Sequence, residues 1–517
     1  MFGPRAQDLE GLLTCRDGSD APIKQNAEEN ENENEIELQQ MTGSHLPQLK
    51  SLDECLEDIN VSWFQYELLL LCGLMFMADA MEVMLLSFLS ICAGADLNLS
   101  HAEVASISSV VFAGELVGGM VWGPLADSHG RRFAFIVACL TMTVGGLLSG
   151  FAPNYYSLLA FRGICGLGVG GITVPFDLLA EYLPASQRGR FLMAIEYFWT
   201  AGSVFVVLMA WGLLQDFDWR VLAITTTVPV GVAGLLGCAY LPESVRWLCE
   251  RGRVTEAEEY LRVAARRNGT NLGSFRLARP APTPPTVTVS TAAPVDKDHL
   301  CSDQVLRVTI PLMLTYLASS LLYNGVIFFI SRLYNDDGEG ADGAEFGGDA
   351  DYVCSFNYAP ILANSIAEAV GVTLAILFID RAGRVRVQWT SYLTGGAAVL
   401  AMGLHSVRPD GSGGNNTMAL AVLGMVARAA AMSGISATWI STPEIYPTQL
   451  RASAHSYCNV VSRLSAFASP YIVFSGLSNA SVGVVLCGAN LLAALASCFL
   501  PESADKSMDE LDWSDTR

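Results

Sequence analysis

Asp79 and Glu82 stand three residues apart inside the apolar run Phe76 to Met84. On a helix this spacing puts both carboxylates on roughly one face. Two carboxylates so close can share a proton, which suits proton coupling. A salt bridge to Arg162 or another helix is a second reading, and contact with a substrate a third. Glu115, Glu196 and Glu368 are single acids in other apolar runs, and Arg428 and Arg463 are single bases. A charge at the centre of a membrane span costs about 2.5–3.5 kcal/mol on insertion scales, so each of these groups needs a cavity or a partner. An arginine at that depth suits a substrate carboxylate, and equally a buried acid such as Glu368. There is no nucleophile elbow, Walker loop, HExxH or zinc spacing, so neither an enzyme nor an ATP-driven pump is indicated. No cofactor and no metal is expected.

The elements that must position these groups are apolar helices. Of the 517 residues, 51% are hydrophobic and only 16% charged, with a mean hydropathy of +0.37. A soluble chain carries about 25% charged residues. Spans are expected at about 67–90, 104–124, 133–151, 157–180, 190–213 and 221–241. A second set is expected at about 304–331, 356–379, 386–407, 418–442, 449–474 and 480–500. The Gly-rich run Gly166 to Gly171 lies within an apolar span with no preceding strand, which points to close helix packing rather than nucleotide binding. The formal charge of −21 is concentrated in the tails and in the segment 336–351. Those runs read as solvated chain, and the absence of a basic stripe gives nucleic-acid binding no support. Ser51 and Glu54 resemble a capping box. It opens a short amphipathic helix (Leu52, Leu56, Ile59, Trp63), expected along the membrane interface. Thr255 to Arg267 reads as a charged helix, and Pro280 to Thr286 as neither helix nor sheet.

Arginines set the orientation. Arg131, Arg132, Arg188, Arg190, Arg246, Arg251, Arg253, Arg381, Arg384, Arg386 and Arg451 fall on one side. The loops 93–103, 152–156, 214–219 and 475–479 carry no Lys or Arg, and Arg332 and Arg408 are isolated exceptions. Positive-inside counting puts both termini and the central linker in the cytoplasm. The sequons at Asn98 and Asn415 then face outward, too near the membrane to favour glycosylation. Cys92 and Cys354 also fall on that side, where a disulfide between them is possible. The 13 cysteines show no ligand spacing, and most read as small packing residues.

The chain also repeats itself. Glu181, Pro184 and Arg188 recur as Glu444, Pro447 and Arg451; Asp127, Gly130 and Arg131 as Asp380, Gly383 and Arg384; and Leu241 to Ser244 as Leu500 to Ser503. Three motifs in one order at nearly one offset mean two copies of one half-molecule. Gly130 permits a backbone conformation closed to other residues. The arginines beside it can pair with neighbouring carboxylates in one conformation and release them in another, which makes a latch. A static positive-inside anchor is the alternative for a lone motif, and the second copy at Asp380 to Arg384 counts against it.

These words resemble the major facilitator superfamily over about residues 60–505. Arg162 to Gly171 looks like its fourth-helix element. Pro242-Glu-Ser-Val-Arg-Trp-Leu248 and Pro443-Glu-Ile-Tyr-Pro-Thr-Gln-Leu-Arg451 look like signatures of its sugar-porter and organic-ion branch, with Val245 in place of a proline. Phe76 to Met84 and Glu196 to Gly202 are similar to the synaptic-vesicle-two-related group, itself similar to nicotinate and organic-ion carriers. The resemblance implies an all-α membrane protein of twelve transmembrane helices in two pseudo-symmetric six-helix halves. It implies a cytoplasmic gate of Asp127, Gly130, Arg131, Arg132, Glu181 and Arg188, matched by Asp380, Gly383, Arg384, Glu444 and Arg451. The gate closes in the outward-open state and opens in the inward-open one. Ser128 and His129 replace the usual basic residue, which weakens the latch by that comparison. Tyr323 and Asn324 fall where the seventh helix is often broken over a central cavity, so they join Asp79, Glu82, Glu115, Arg162, Glu196, Glu368 and Arg428 as cavity candidates.

The expected organisation is an acidic disordered tail (1–60), a first half (61–241), a cytoplasmic linker (242–303), a second half (304–500) and a short tail (501–517). The expected function is secondary transport of a small polar organic solute by alternating access. An organic ion such as nicotinate comes first and a sugar second, with proton coupling and a monomer in a plasma or vesicle membrane. A facilitative uniporter, insensitive to a pH gradient, and a non-transporting sensor or trafficking protein remain as alternatives.

Overall fold

The computed structural model describes residues 48–184, 187–277, 303–335, 354–406, 413–446 and 448–502. The Pro280–Thr286 and acidic-loop expectations, and the disordered tail as far as residue 47, lie outside the described residues, as do the side chains of Asp380, Asn415 and Arg451. Residues 48–59, expected within that tail, instead form a strand and a helix that pack on the linker.

Strand β1 (Gln48–Lys50) and helix α1 (Leu52–Ile59) precede the first half. That half holds α2 (Trp63–Asp96), α3 (His101–His129), α4 (Arg131–Gly150), α5 (Tyr155–Val169), α6 (Thr173–Glu181), α7 (Arg188–Met193), α8 (Glu196–Leu213) and α9 (Trp219–Tyr240). The linker forms α10 (Val245–Glu250), α11 (Val254–Arg267) and β2 (Phe275–Leu277). The second half holds α12 (Asp303–Leu333), α13 (Tyr358–Ala382), α14 (Arg384–His405), α15 (Gly413–Ile445), α16 (Thr448–Val473) and α17 (Asn479–Ser497).

Ten spans among the described residues are long and apolar enough to cross a membrane, α5–α6 and α7–α8 each forming one. Helices α14 and α16 have the length but a more polar composition, and they occupy the ninth and eleventh expected positions. At 34 residues α2 is about 50 Å long, well beyond the ~30 Å hydrocarbon core. Helix starts follow local chemistry. Ser51 and Glu54 cap each other reciprocally, as do Ser62 with Gln65 and Ser100 with Glu103.

The Gly-rich run behaves as close packing. A Cβ at Gly166 would collide with the Val111 carbonyl, and one at Gly118 with that of Leu167, so α3 and α5 touch backbone to backbone. Helix α1 departs from expectation. Its apolar face does not lie free at the interface: Cys55, Leu56 and Ile59 are buried with Ala257, Leu261 and Ala264 of α11 and with Phe275. Trp63 belongs to α2 instead, and is 66% exposed. Strand β1 pairs in parallel with β2, which ties the chain before the first half to the linker.

We call the side carrying α1, α10 and α11 the tail face and the opposite side the far face. One large core joins both halves towards the far face, including Phe88 and Phe112 of the first and Phe328, Phe356 and Phe474 of the second. On the tail side the cores separate. One draws only on the first half and linker, including Phe135, Leu178 and Leu248. Another draws only on the second, including Leu312, Tyr446 and Leu500. Hydrogen bonds between the halves, such as Ser331 to Ser87 (2.9 Å) and Ser109 to the Phe467 carbonyl (2.8 Å), follow the joined part. The halves therefore meet from mid-depth to the far face.

Candidate functional site

The helices that carry charge at mid-length bring it together in three groups. In the first half, Arg162 of α5 donates to Glu82 of α2 at 2.6 Å, and both side chains are almost wholly buried. In the second, Arg428 of α15 meets Glu368 of α13 at 2.7 Å. The Tyr323 hydroxyl donates to Glu368 (2.6 Å), and Trp199 of the first half donates to that hydroxyl in turn. The Arg428 guanidinium lies 5.8 Å from the Tyr323 ring centre.

The third group crosses the boundary. Arg463 of α16 pairs with Glu115 of α3 and stands 3.7 Å from Asp79 of α2. Its side chain is 20% exposed, while Asp79 and Glu115 are buried. Among the described residues these are the ion pairs that join one half to the other. The carboxylates on one α2 face thus divide: Glu82 turns to an arginine of its own half, Asp79 to one of the other half. Two cavity candidates make no ion pair among the described residues. The Asn324 amide bonds back to the Ser320 carbonyl of its own helix (3.0 Å). Half-buried Glu196 carries none of the ion pairs found among the described residues.

Sequence reasoning named Arg463 as a lone base and left it out of the cavity. The repeat gave no signal for the pairing and pointed away from it. Glu115 precedes Asp127, and Glu368 precedes Asp380, by the same 12 residues. The two glutamates are repeat-equivalent, yet one takes its arginine from its own half and the other from across the seam.

On the tail face Arg131 bonds Asp127 (2.8 Å) and approaches Glu181 (3.7 Å), and Arg384 bonds Glu444 (3.0 Å). Each of these pairs lies within one half. Two expected members point elsewhere: Arg132 donates to the Cys238 carbonyl (2.5 Å) and Arg188 to that of Leu183 (3.2 Å). The unforeseen members are Glu243 and Glu502. Glu243 accepts from the amides of Arg131 and Arg132 at 2.7 and 3.2 Å, and Glu502 from those of Arg384 and Val385 at 2.7 and 3.2 Å. Each satisfies the free amides and positive dipole end of a helix start. Gly130 (φ +103°) and Gly383 (φ +94°) make the turns, and a Cβ at either would run into that glutamate. The third repeated motif therefore caps the second in both halves.

On the far face Cys92 and Cys354 form a disulfide with Cα atoms 5.5 Å apart. Sequence left this pairing open.

The arrangement is that of a membrane carrier: two helical halves, charges at mid-depth, and motif-built turns on one face. The family model described as "Sugar (and other) transporter" matches residues 77–514. The chain belongs to this family of transporters, of the major facilitator type. A putative transporter of Caenorhabditis elegans, svop-1, is 30% identical over 87% of this chain and 85% of its own length. A niacin transporter, NiaP, of Acinetobacter baylyi is 27% identical over 81% and 88%. The partially occluded inward-open xylose transporter XylE of E. coli shares the fold, with a TM-score of 0.66 at 18% identity over 86% of this chain and all of that one.

Proposed function

We propose that the chain is a proton-coupled carrier of a small organic solute bearing a carboxylate, with nicotinate the first candidate. The observation that carries this reading is the triad of Arg463, Glu115 and Asp79 across the seam. Two carboxylates face one guanidinium, so the ionised triad is one negative charge in excess. A proton on Asp79 or Glu115 leaves one carboxylate on the arginine and frees the other side of its planar fork, which matches a carboxylate. A solute carboxylate then replaces the protein's own, and solute binding is tied to proton binding. Glu82–Arg162 and Glu368–Arg428 are each balanced, and serve as fixed pairs that hold their halves rigid. Trp199 and Tyr323, linked across the same seam, offer ring faces and hydrogen bonds to an aromatic solute.

Positive-inside counting makes the tail face cytoplasmic, and a disulfide on the far face suits an oxidising exterior or vesicle lumen. The conformation described is then inward-facing, and alternating access follows by rocking of the halves about the triad. The gate residues Asp127, Arg131, Glu181, Arg384 and Glu444, capped by Glu243 and Glu502, re-pair as the tail face closes. The niacin-transporting relative supports the solute class. Asp79→Asn separates the steps. In proteoliposomes it should abolish gradient-driven nicotinate accumulation while leaving nicotinate exchange intact. Accumulation that persists in the variant removes Asp79 from coupling.

A further inference from the structure

The Cys92–Cys354 disulfide takes no part in that cycle of protons and solute, yet it spans the seam the cycle must open. Cys92 lies in the last turns of α2 and is 2% exposed. Cys354 is equally well anchored in the other half. Two residues on, Phe356 is buried and bridges to Asn335, and the Asn357 amide donates to the Tyr334 carbonyl at 2.8 Å, just past the end of α12. The Phe356 and Tyr358 rings both pack on Phe88, one turn before Cys92 on α2, with centroids 5.0 and 6.2 Å away. The sulfurs are thus carried by ordered pieces of opposite halves. A disulfide holds its two Cα atoms within about 7 Å, so the far face cannot part at this point while the bond stands.

We propose that this disulfide is a redox lock on the far-face gate. Oxidised, it holds the halves in the conformation described here and stops the cycle; reduced, it lets the far face open. The inference rests on the rocking-halves reading. The reductant is a small dithiol on the far side. Its thiolate attacks Sγ of Cys354, the less buried sulfur, and the S–S bond breaks. Cys92 departs as a thiolate and takes a proton. The second thiol then displaces Cys354 from the mixed disulfide, and the reagent leaves as a cyclic disulfide, having given two electrons. A small disulfide reverses the exchange and relocks the gate.

The test is a distance measurement on the full chain in lipid nanodiscs. Spin-labelled unnatural residues at Tyr156 and Ser475, exposed far-face positions in the two halves, leave the native cysteines intact. A second labelled pair, at Glu250 and Arg386, reads the tail face. The oxidised protein should give one short far-face distance. A dithiol should add a longer population, and Cys354→Ser should show that population with or without the reagent. A long far-face population in the oxidised protein, or tail-face distances that change while the far face ignores reduction, overturns the lock and leaves the rocking intact. Distances that never change on either face overturn both.

Discussion

If Glu82–Arg162 is a fixed pair, removing both partners should cost less stability than the sum of the two single removals. The structure supplies the magnitude. At 2.6 Å, with an effective dielectric of about 20, the attraction is about 6 kcal/mol. Desolvation offsets much of it, because Arg162 is wholly buried and Glu82 only 5% exposed. Arg162 Nε and Nη2 find no other hydrogen-bond partner, so nothing else compensates for loss of the carboxylate. Breaking a buried pair on one side costs about 3–5 kcal/mol. Arg162→Met and Glu82→Gln should each lower stability by that amount. The double variant should recover about 2–3 kcal/mol of their sum. Unfolding in mixed micelles with increasing SDS, followed by tryptophan fluorescence, reads all four corners of the cycle. Single effects that add to within about 0.5 kcal/mol would show no coupling. Glu82 would then not depend on Arg162, and would return as a candidate for the proton.

Two further outcomes are expected. Gly166→Val drives side-chain atoms into the Val111 backbone and should cost about 1–3 kcal/mol or more, whereas Gly119→Ala meets nothing within 4 Å and should fold normally; the same unfolding titration compares them. Burial pushes the Cys55 thiol up to about 11, so at pH 8 it is protonated as well as shielded, and maleimide should label it only after denaturation, as mass spectrometry of the tryptic peptides reads.

The spans were legible because length and apolarity are local properties. The helix start at Ser51–Glu54 falls where side-chain spacing alone puts it. The repeat was legible because duplication leaves words in order. The partners of the buried charges were not. Arg463 and Glu115 are 348 residues apart, and only the docking of α16 on α3 makes them neighbours. Sequence could weigh Arg428 against Glu368 but not decide it, since either could equally have met a solute. Glu243 and Glu502 were visible as a repeated motif, but their task depends on the chain returning beneath the starts of α4 and α14. Helix α1 was misplaced for a related reason. An amphipathic face does not say whether lipid or protein covers it, and here α11 does.

Coupling of a proton to a carboxylate-bearing solute runs, on this proposal, through the seam. The most direct measurement is uptake of labelled nicotinate into proteoliposomes of the reduced protein, with and without an imposed pH gradient. Accumulation above equilibrium is expected with the gradient, equilibration without it, and loss of both in Arg463→Gln. Nicotinate uptake that is indifferent to the gradient, or unchanged in Arg463→Gln, would contradict it.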